Sequence, residues 1–234
     1  MKKLITGLLL AGCLNSPLAM ADKKISVEIS NLTNAIYYTP LLVSAHDRDT
    51  HIFQVGTAAS AHLQAMAEGG DISGLVTDLD SVGANTVANP AGGLLAPGAT
   101  ATAEMHINRR NRFLSIAAML LPTNDGFVGL DALPIPQSGH SHVYYLNGYD
   151  AGTEANNEVI NGGGAPGELG IPADPGSNSG TGATGVTGAD HNGKVHIHRG
   201  IVGGADSDLD KAVHRWINPI AKVVITTHKS RNHD

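Results

Sequence analysis

Two stretches of the chain set carboxylates among glycines and apolar residues: PTNDGFVGLDALPI at 122–135 and GYDAGTE at 148–154. Asp125 stands in TND, just before the apolar GFVGL. Asp150 and Glu154 bracket Ala151-Gly152-Thr153, where the glycine permits a tight turn that folds two carboxylates back toward one point. Calcium is a hard cation that takes about six to eight oxygens, commonly carboxylates and main-chain carbonyls offered by loops. If the strands that carry Asp125 and the Asp150–Glu154 pair are neighbours, their ends converge. Three carboxylates brought together repel one another, so either the three are separated or a cation sits among them. The alternative for any one Asp in a Gly-rich turn is a solvated cap of that turn.

The 12 histidines offer a second chemistry. GHSH contains His140 and His142, HNGKVHIH contains His191, His196 and His198, and His214 follows. His-x-His on a strand puts both rings on one face, which suits zinc or copper when a third ligand arrives from another strand. The same alternation on an exposed face also serves as ordinary polar surface. The alternative function is thus a transition-metal-binding protein or metalloenzyme using His196, His198 and His140 or His142. No G-x-S-x-G elbow, H-E-x-x-H helix, Walker loop or strand-linked G-x-G-x-x-G is present, and Glu68 and Glu104 belong to no catalytic motif. The chain is therefore read as a non-enzyme. Arg109, Arg110 and Arg112 read as a solvated turn, with an acidic sugar or phosphate as their other possible contact.

The elements that must position these residues are short. Charged residues are 15% and aromatics 4% of the 234, while 29 glycines and 11 prolines call for many turns. The first 21 residues read as an export signal: a basic MKK, the apolar LITGLLLAGCL and a closing Ala19-Met20-Ala21. Leu10-Ala11-Gly12-Cys13 also reads as a lipobox, which would make Cys13 a lipid anchor. Residues 22–234 then form one domain, secreted or periplasmic, without cysteine, and with no apolar run near the roughly 20 residues of a membrane span. Loss of Lys2 and Lys3 makes the chain more acidic than its formal −6. That balance disfavours nucleic acid and anionic lipid and favours cations.

KISVEISNL alternates as a half-buried strand, and TATAEMHIN points Ala101, Ala103, Met105 and Ile107 to one side. RRNR is read as the turn of a hairpin into FLSIAAMLL, a strand buried on both faces. AIYYTPLLVSAHD, broken by Pro40, reads as an edge or bulged strand. Residues 58–67 read as a short helix, 71–98 as irregular, HVYYLNGYD and PIAKVVITTH as strands, and DLDKAVHRW as a short helix or turn. The Gly-rich stretch 161–193 is too poor in apolar groups to build core. The sum is an all-β antiparallel sandwich of about eight strands with one or two short helices.

In order, LQAMAEGG, ATAEMHINRR, LLPTNDGFVGLDAL, YDAGTE with its trailing GGGAPGELGIP, and PIAKVVIT resemble the spondin amino-terminal domain of F-spondin, mindin and related bacterial secreted proteins. The resemblance covers most of 25–228. It implies a C2-like antiparallel β-sandwich holding one Ca2+ through loop carboxylates. Carried over by position, the ligands are Asp125, Asp150 and Glu154, with Asp131 a conformational residue of the same block. It also implies an adhesive, non-enzymatic role toward an extracellular protein or glycan. Gly126 stands where the family commonly has Trp, Glu154 where it usually has Asp, and the disulfides of animal members have no counterpart in the mature chain.

Overall fold

The structure, a computed structural model, describes residues 23–137, 139–163, 167–176 and 193–228. The expected signal with Cys13, the stretch 177–192 and with it His191 lie outside these residues. In chain order the elements are β1 (Lys23–Asn31), β2 (Tyr37–Tyr38), β3 (Leu42–His46), α1 (Ala61–Gly69), α2 (Ser73–Ser81), β4 (Asn85–Ala88) and β5 (Thr100–Ile107). They continue with β6 (Phe113–Leu121), β7 (Gly126–Pro134), β8 (Ser141–Asp150), β9 (His196–Ile197), α3 (Lys211–His214) and β10 (Ala221–Thr227).

All strand pairings are antiparallel, along the path β4-β3-β6-β7-β8-β10-β1-β5, with β2 on β6 and β9 on β8. β8 belongs to both halves of this path. Its first part, Ser141–Leu146, pairs with β10, and its last part, Asn147–Asp150, pairs with β7. The sheet thus folds into two layers joined through β8, and it nearly closes where β4 and β5, the ends of the path, come into contact.

Each layer follows from its residue pattern. β1, β5 and β10 alternate strictly, burying Ile25, Val27 and Ile29, then Ala101 to Ile107, then Val223 and Ile225. These side chains meet Val43, Leu114, Ile116, Ala118 and Leu120 of the opposite layer in one core. β6 is apolar but for Ser115 because its other face is covered as well: Leu42, Ala117, Met119 and Leu121 pack with Leu63 and Met66 of α1 and Leu75 and Leu79 of α2. The all-β antiparallel expectation holds, with ten strands and three short helices among the described residues.

Four local expectations are corrected. Residues 73–81 and 85–88, read as irregular, are α2 and β4; Leu75 and Leu79, one helical turn apart, bury against α1 despite the surrounding Gly, Ser and Asp. α1 is shifted to 61–69, because Ser60 caps it by accepting from the Leu63 N–H at 3.1 Å and Gly70, at φ 72°, ends it. β3 is not an edge, lying between β4 and β6. β5 and β6 are not a hairpin: they stand in different layers, and Asn108–Arg112 crosses between them. Asn108 Oδ1 accepts from the Arg110 and Asn111 N–H groups, while Asn111 Nδ2 donates to Gly83 O and Asn85 Oδ1. The Gly-rich stretch also reaches the core at one point, since Ile171 is fully buried and bridges Ile160.

The packing makes a direct prediction. Ile116→Ala, opening the space between the layers, lowers unfolding free energy by about 2–5 kcal/mol. Val143→Ala, on the uncovered face of β8 and 52% exposed, changes it by less than ~0.5 kcal/mol. Urea denaturation of the two variants measures both.

Candidate metal centre

The register of β7 on β8 pairs Gly126 with Asp150 and so sets Asp125, the residue before β7, beside the end of β8. The turn before β7 is held by Thr123, whose hydroxyl donates to Leu120 O at 2.6 Å and accepts from the Gly126 N–H at 3.0 Å. A Cβ at Gly126 would lie 2.7 Å from that hydroxyl oxygen and 3.2 Å from the His198 ring. The missing Trp after the first acid therefore corresponds to a position with no room for a side chain. His198, packed on Trp216 with ring centroids 4.9 Å apart, occupies the adjoining space.

Asp125 is fully buried and half satisfied. Its Oδ2 accepts from the Thr153 N–H at 2.8 Å, the Glu154 N–H at 3.1 Å and the Thr153 hydroxyl at 3.3 Å, while its carbonyl accepts from the Ala151 N–H. Its Oδ1 is buried without a hydrogen-bond partner among the described residues. Asp150, 2% exposed, accepts from the Gly152 N–H at 2.8 Å and from Asn156 Nδ2 at 2.6 Å, and its Oδ1 lies 3.6 Å from His196 Nδ1. Glu154, also 2% exposed, accepts at Oε1 from Asn124 Nδ2 and from the Gly170 N–H, and its Oε2 is buried without a partner among the described residues. Gly152 makes this turn possible: φ is +71°, and a Cβ there would stand 2.5 Å from the Lys194 backbone.

Electrostatics follow from this crowding. Burial, then the charge of Asp150, raises the Asp125 carboxyl to about 7, against the lowering effect of its N–H donors. Burial raises Glu154 to about 7 as well, with smaller contributions from the charges of Glu68 and Asp125. Two buried carboxylate oxygens facing no donor are a poor arrangement for anions alone and a suitable one for a hard cation. Among the described residues, however, no group of three His, Cys, Asp or Glu side chains stands assembled as a metal cluster.

Several participants carried no motif. Glu158, at φ 59° and 5% exposed, gathers the Val202 and Gly203 N–H groups and the Ser207 hydroxyl. Asn124 accepts from the Glu158 N–H and donates to Asn157, and Asn156 links Asp150 to His198 Nε2. Glu68 fixes the Gly-rich stretch by accepting from the Gly167 N–H at 3.0 Å. The only hint of these in the sequence is the run of side-chain amides and acid after GTE. Asp131 is not part of the centre: it accepts from His51 Nδ1 and the Ile52 N–H, toward the other end of β7.

The histidine alternative is taken apart by β8. His142 opens that strand and His196 pairs with Asp150 at its far end, roughly 25 Å away at strand rise. His198 is buried, its Nδ1 accepts from the Gly200 N–H, and burial lowers it to about 4. His214 faces Asp174 at 3.6 Å.

The sequence model of the family described as Spondin_N matches residues 30–159, more than half of the chain and including Asp125, Asp150 and Glu154. No curated protein matches the chain.

Two outcomes are expected. A folded carboxyl at about 7 keeps a proton that the unfolded chain releases near pH 4, so its stabilising contribution is complete below about pH 4 and lost as pH rises toward about 7. In chelator, unfolding free energy therefore falls between pH 5 and pH 8, and Asp125→Asn reduces that fall by on the order of 2 kcal/mol. Gly152→Ala destabilises the protein by about 1–3 kcal/mol at any pH through the positive φ and the backbone clash. Denaturation at both pH values checks each.

Proposed function

The chain belongs to the spondin amino-terminal domain family, and from that premise we propose that it is a non-enzymatic binding module whose loops at one end of the sandwich are ordered by a single Ca2+. The observation that carries this reading is the pair of partnerless buried oxygens, Asp125 Oδ1 and Glu154 Oε2, beside the carboxylate of Asp150. Asp125, Asp150 and Glu154 would hold the ion, which supplies the positive charge that their N–H donors do not.

The residues of this chain then act as a frame. Asp125 ties the turn before β7 to the turn after β8, Glu154 reaches Gly170 in the Gly-rich stretch, and Glu158 gathers the 202–207 loop. Ile197 of β9, and Val202 and Ile217 on the loops that follow, stand 47%, 54% and 82% exposed around this frame. Apolar groups held out by an ordered polar base suit contact with an extracellular protein or glycan, the class of partner proposed here. Export through the signal at 1–21, or anchoring through Cys13, brings the module to such a partner. No helix among the described residues is long and apolar enough to cross a membrane.

A ligand that binds only the native state raises stability by about 2.7 kcal/mol at a hundredfold excess over its Kd. The protein stripped by chelator is expected to melt several degrees lower, to recover with Ca2+ but not with an equal concentration of Na+, and to lose the recovery in Asp150→Ala. A melting curve indifferent to chelator and Ca2+ at pH 8 removes the ion from the proposal.

A further inference from the structure

A second recess lies away from the carboxylate centre, between the loop that follows β3 and the two helices α1 and α2. Its volume is about 500 Å³, within the range of small-molecule sites. The floor is apolar and fixed: Leu63, Leu75 and Leu79 are 1%, 2% and 1% exposed and belong to the core beneath the helices. The loop forming the opposite wall is anchored at its start by Asp131, which accepts from the Ile52 N–H at 2.9 Å and His51 Nδ1 at 2.5 Å. Farther along it is anchored by Gly56, whose N–H donates to Val195 O at 2.8 Å. The recess is therefore preformed rather than a gap in a mobile loop.

Its charge is one-sided. Asp49 and Asp78 line it, and no Lys or Arg is among the described residues that do. Asp78 receives His62 Nδ1 on Oδ2 at 2.7 Å, leaving Oδ1 without a hydrogen bond among the described residues, and the Asp49 carboxylate has none there either. The lining offers no aromatic face for a sugar to stack on, since Phe53 is 7% exposed with its ring packed on Phe127 and Tyr149 at 5.0 Å. An anion would meet two carboxylates and, besides His51, which is turned to Asp131, no basic side chain among the described residues of the lining; a neutral sugar would find no platform, and the Thr50, Thr57 and Ser81 hydroxyls already donate to Asp47, Gln54 O and Asp78 O.

We propose that this recess is a binding site for a small organic cation, an amine carried on an apolar body, with the ammonium held by Asp49 and Asp78 and the body lying against the exposed Ala58 and Val82, over Leu63, Leu75 and Leu79 beneath. The site is independent of the calcium reading, because none of its residues belongs to the carboxylate centre. Binding of a charged head by acceptors at the rim with apolar burial below is the usual division of labour in such pockets.

Phenethylamine and 3-phenylpropionate are near-isosteres of opposite charge, and each is titrated into the full protein labelled at leucine methyls, with and without Ca2+. The amine is expected to shift the Leu63, Leu75 and Leu79 methyls saturably in both conditions, the carboxylate not at all. The double variant Asp49→Asn, Asp78→Asn is expected to weaken the amine about fivefold or more at unchanged melting temperature, both carboxylates being at the surface. Absence of saturable shifts, equal binding of the carboxylate, or undiminished binding by the folded double variant overturns the proposal.

Discussion

β8 serves two layers with one backbone. Its first residues are committed to β10 and its last to β7, so the layers cannot slide past one another without breaking one of the two registers. That commitment fixes Gly126 opposite Asp150 and thereby brings the turn before β7 against the turn after β8. The convergence of carboxylates is a consequence of the pairing rather than of any attraction between the acids, which oppose it. The remaining loops attach to this corner: β9 pairs with the same end of β8, and His198 N–H donates to Gly148 O.

The energetic problem at that corner is an excess of buried negative charge. Asp125 meets part of it with three donors on one oxygen, and Asp150 meets it with donors on both. The remainder has two physical solutions, a proton or a cation, which compete for the same oxygens. The raised carboxyls of Asp125 and Glu154 express the first solution. Below about pH 7 these two carboxyls keep their protons; above it the frame carries an electrostatic load that the proposed cation would relieve. The proposed calcium affinity and the pH dependence would thus be one property seen from two sides.

Where one residue's own chemistry determined its position, the sequence was readable. The alternation of Ile25, Val27 and Ile29, and of Ala101 through Ile107, reports a face buried against a single partner, and the uniform β6 reports cover on both. Gly152 between two acids was readable for the same reason, since a positive φ has few other occupants. α2 was not, because its helical state rests on Leu75 and Leu79 finding α1, a fact of tertiary packing that overrides weak local propensity. The crossing at Asn108–Arg112 imitates a hairpin turn because a polar loop between two strands looks alike whether the strands pair or part. Glu158 and Asn124 were barely legible because, the Ser207 hydroxyl apart, their donors are backbone N–H groups, which leave no trace in residue type.

The loop after β3 connects the two ends of this account. At His51 and Ile52 it is fixed to Asp131 of β7, and at Gly56 and Thr57 it exchanges backbone hydrogen bonds with Val195, one residue from the Lys194 backbone that closes over Gly152. Phe53, between these anchors, packs edge-on against Phe127 and at a tilt against Tyr149, the pair that follows Gly126 and precedes Asp150. One short segment therefore forms a wall of the acidic recess and a buttress of the carboxylate corner. Because these anchors already hold the segment, the wall stands in place for either proposed ligand, and neither has to order it for the other.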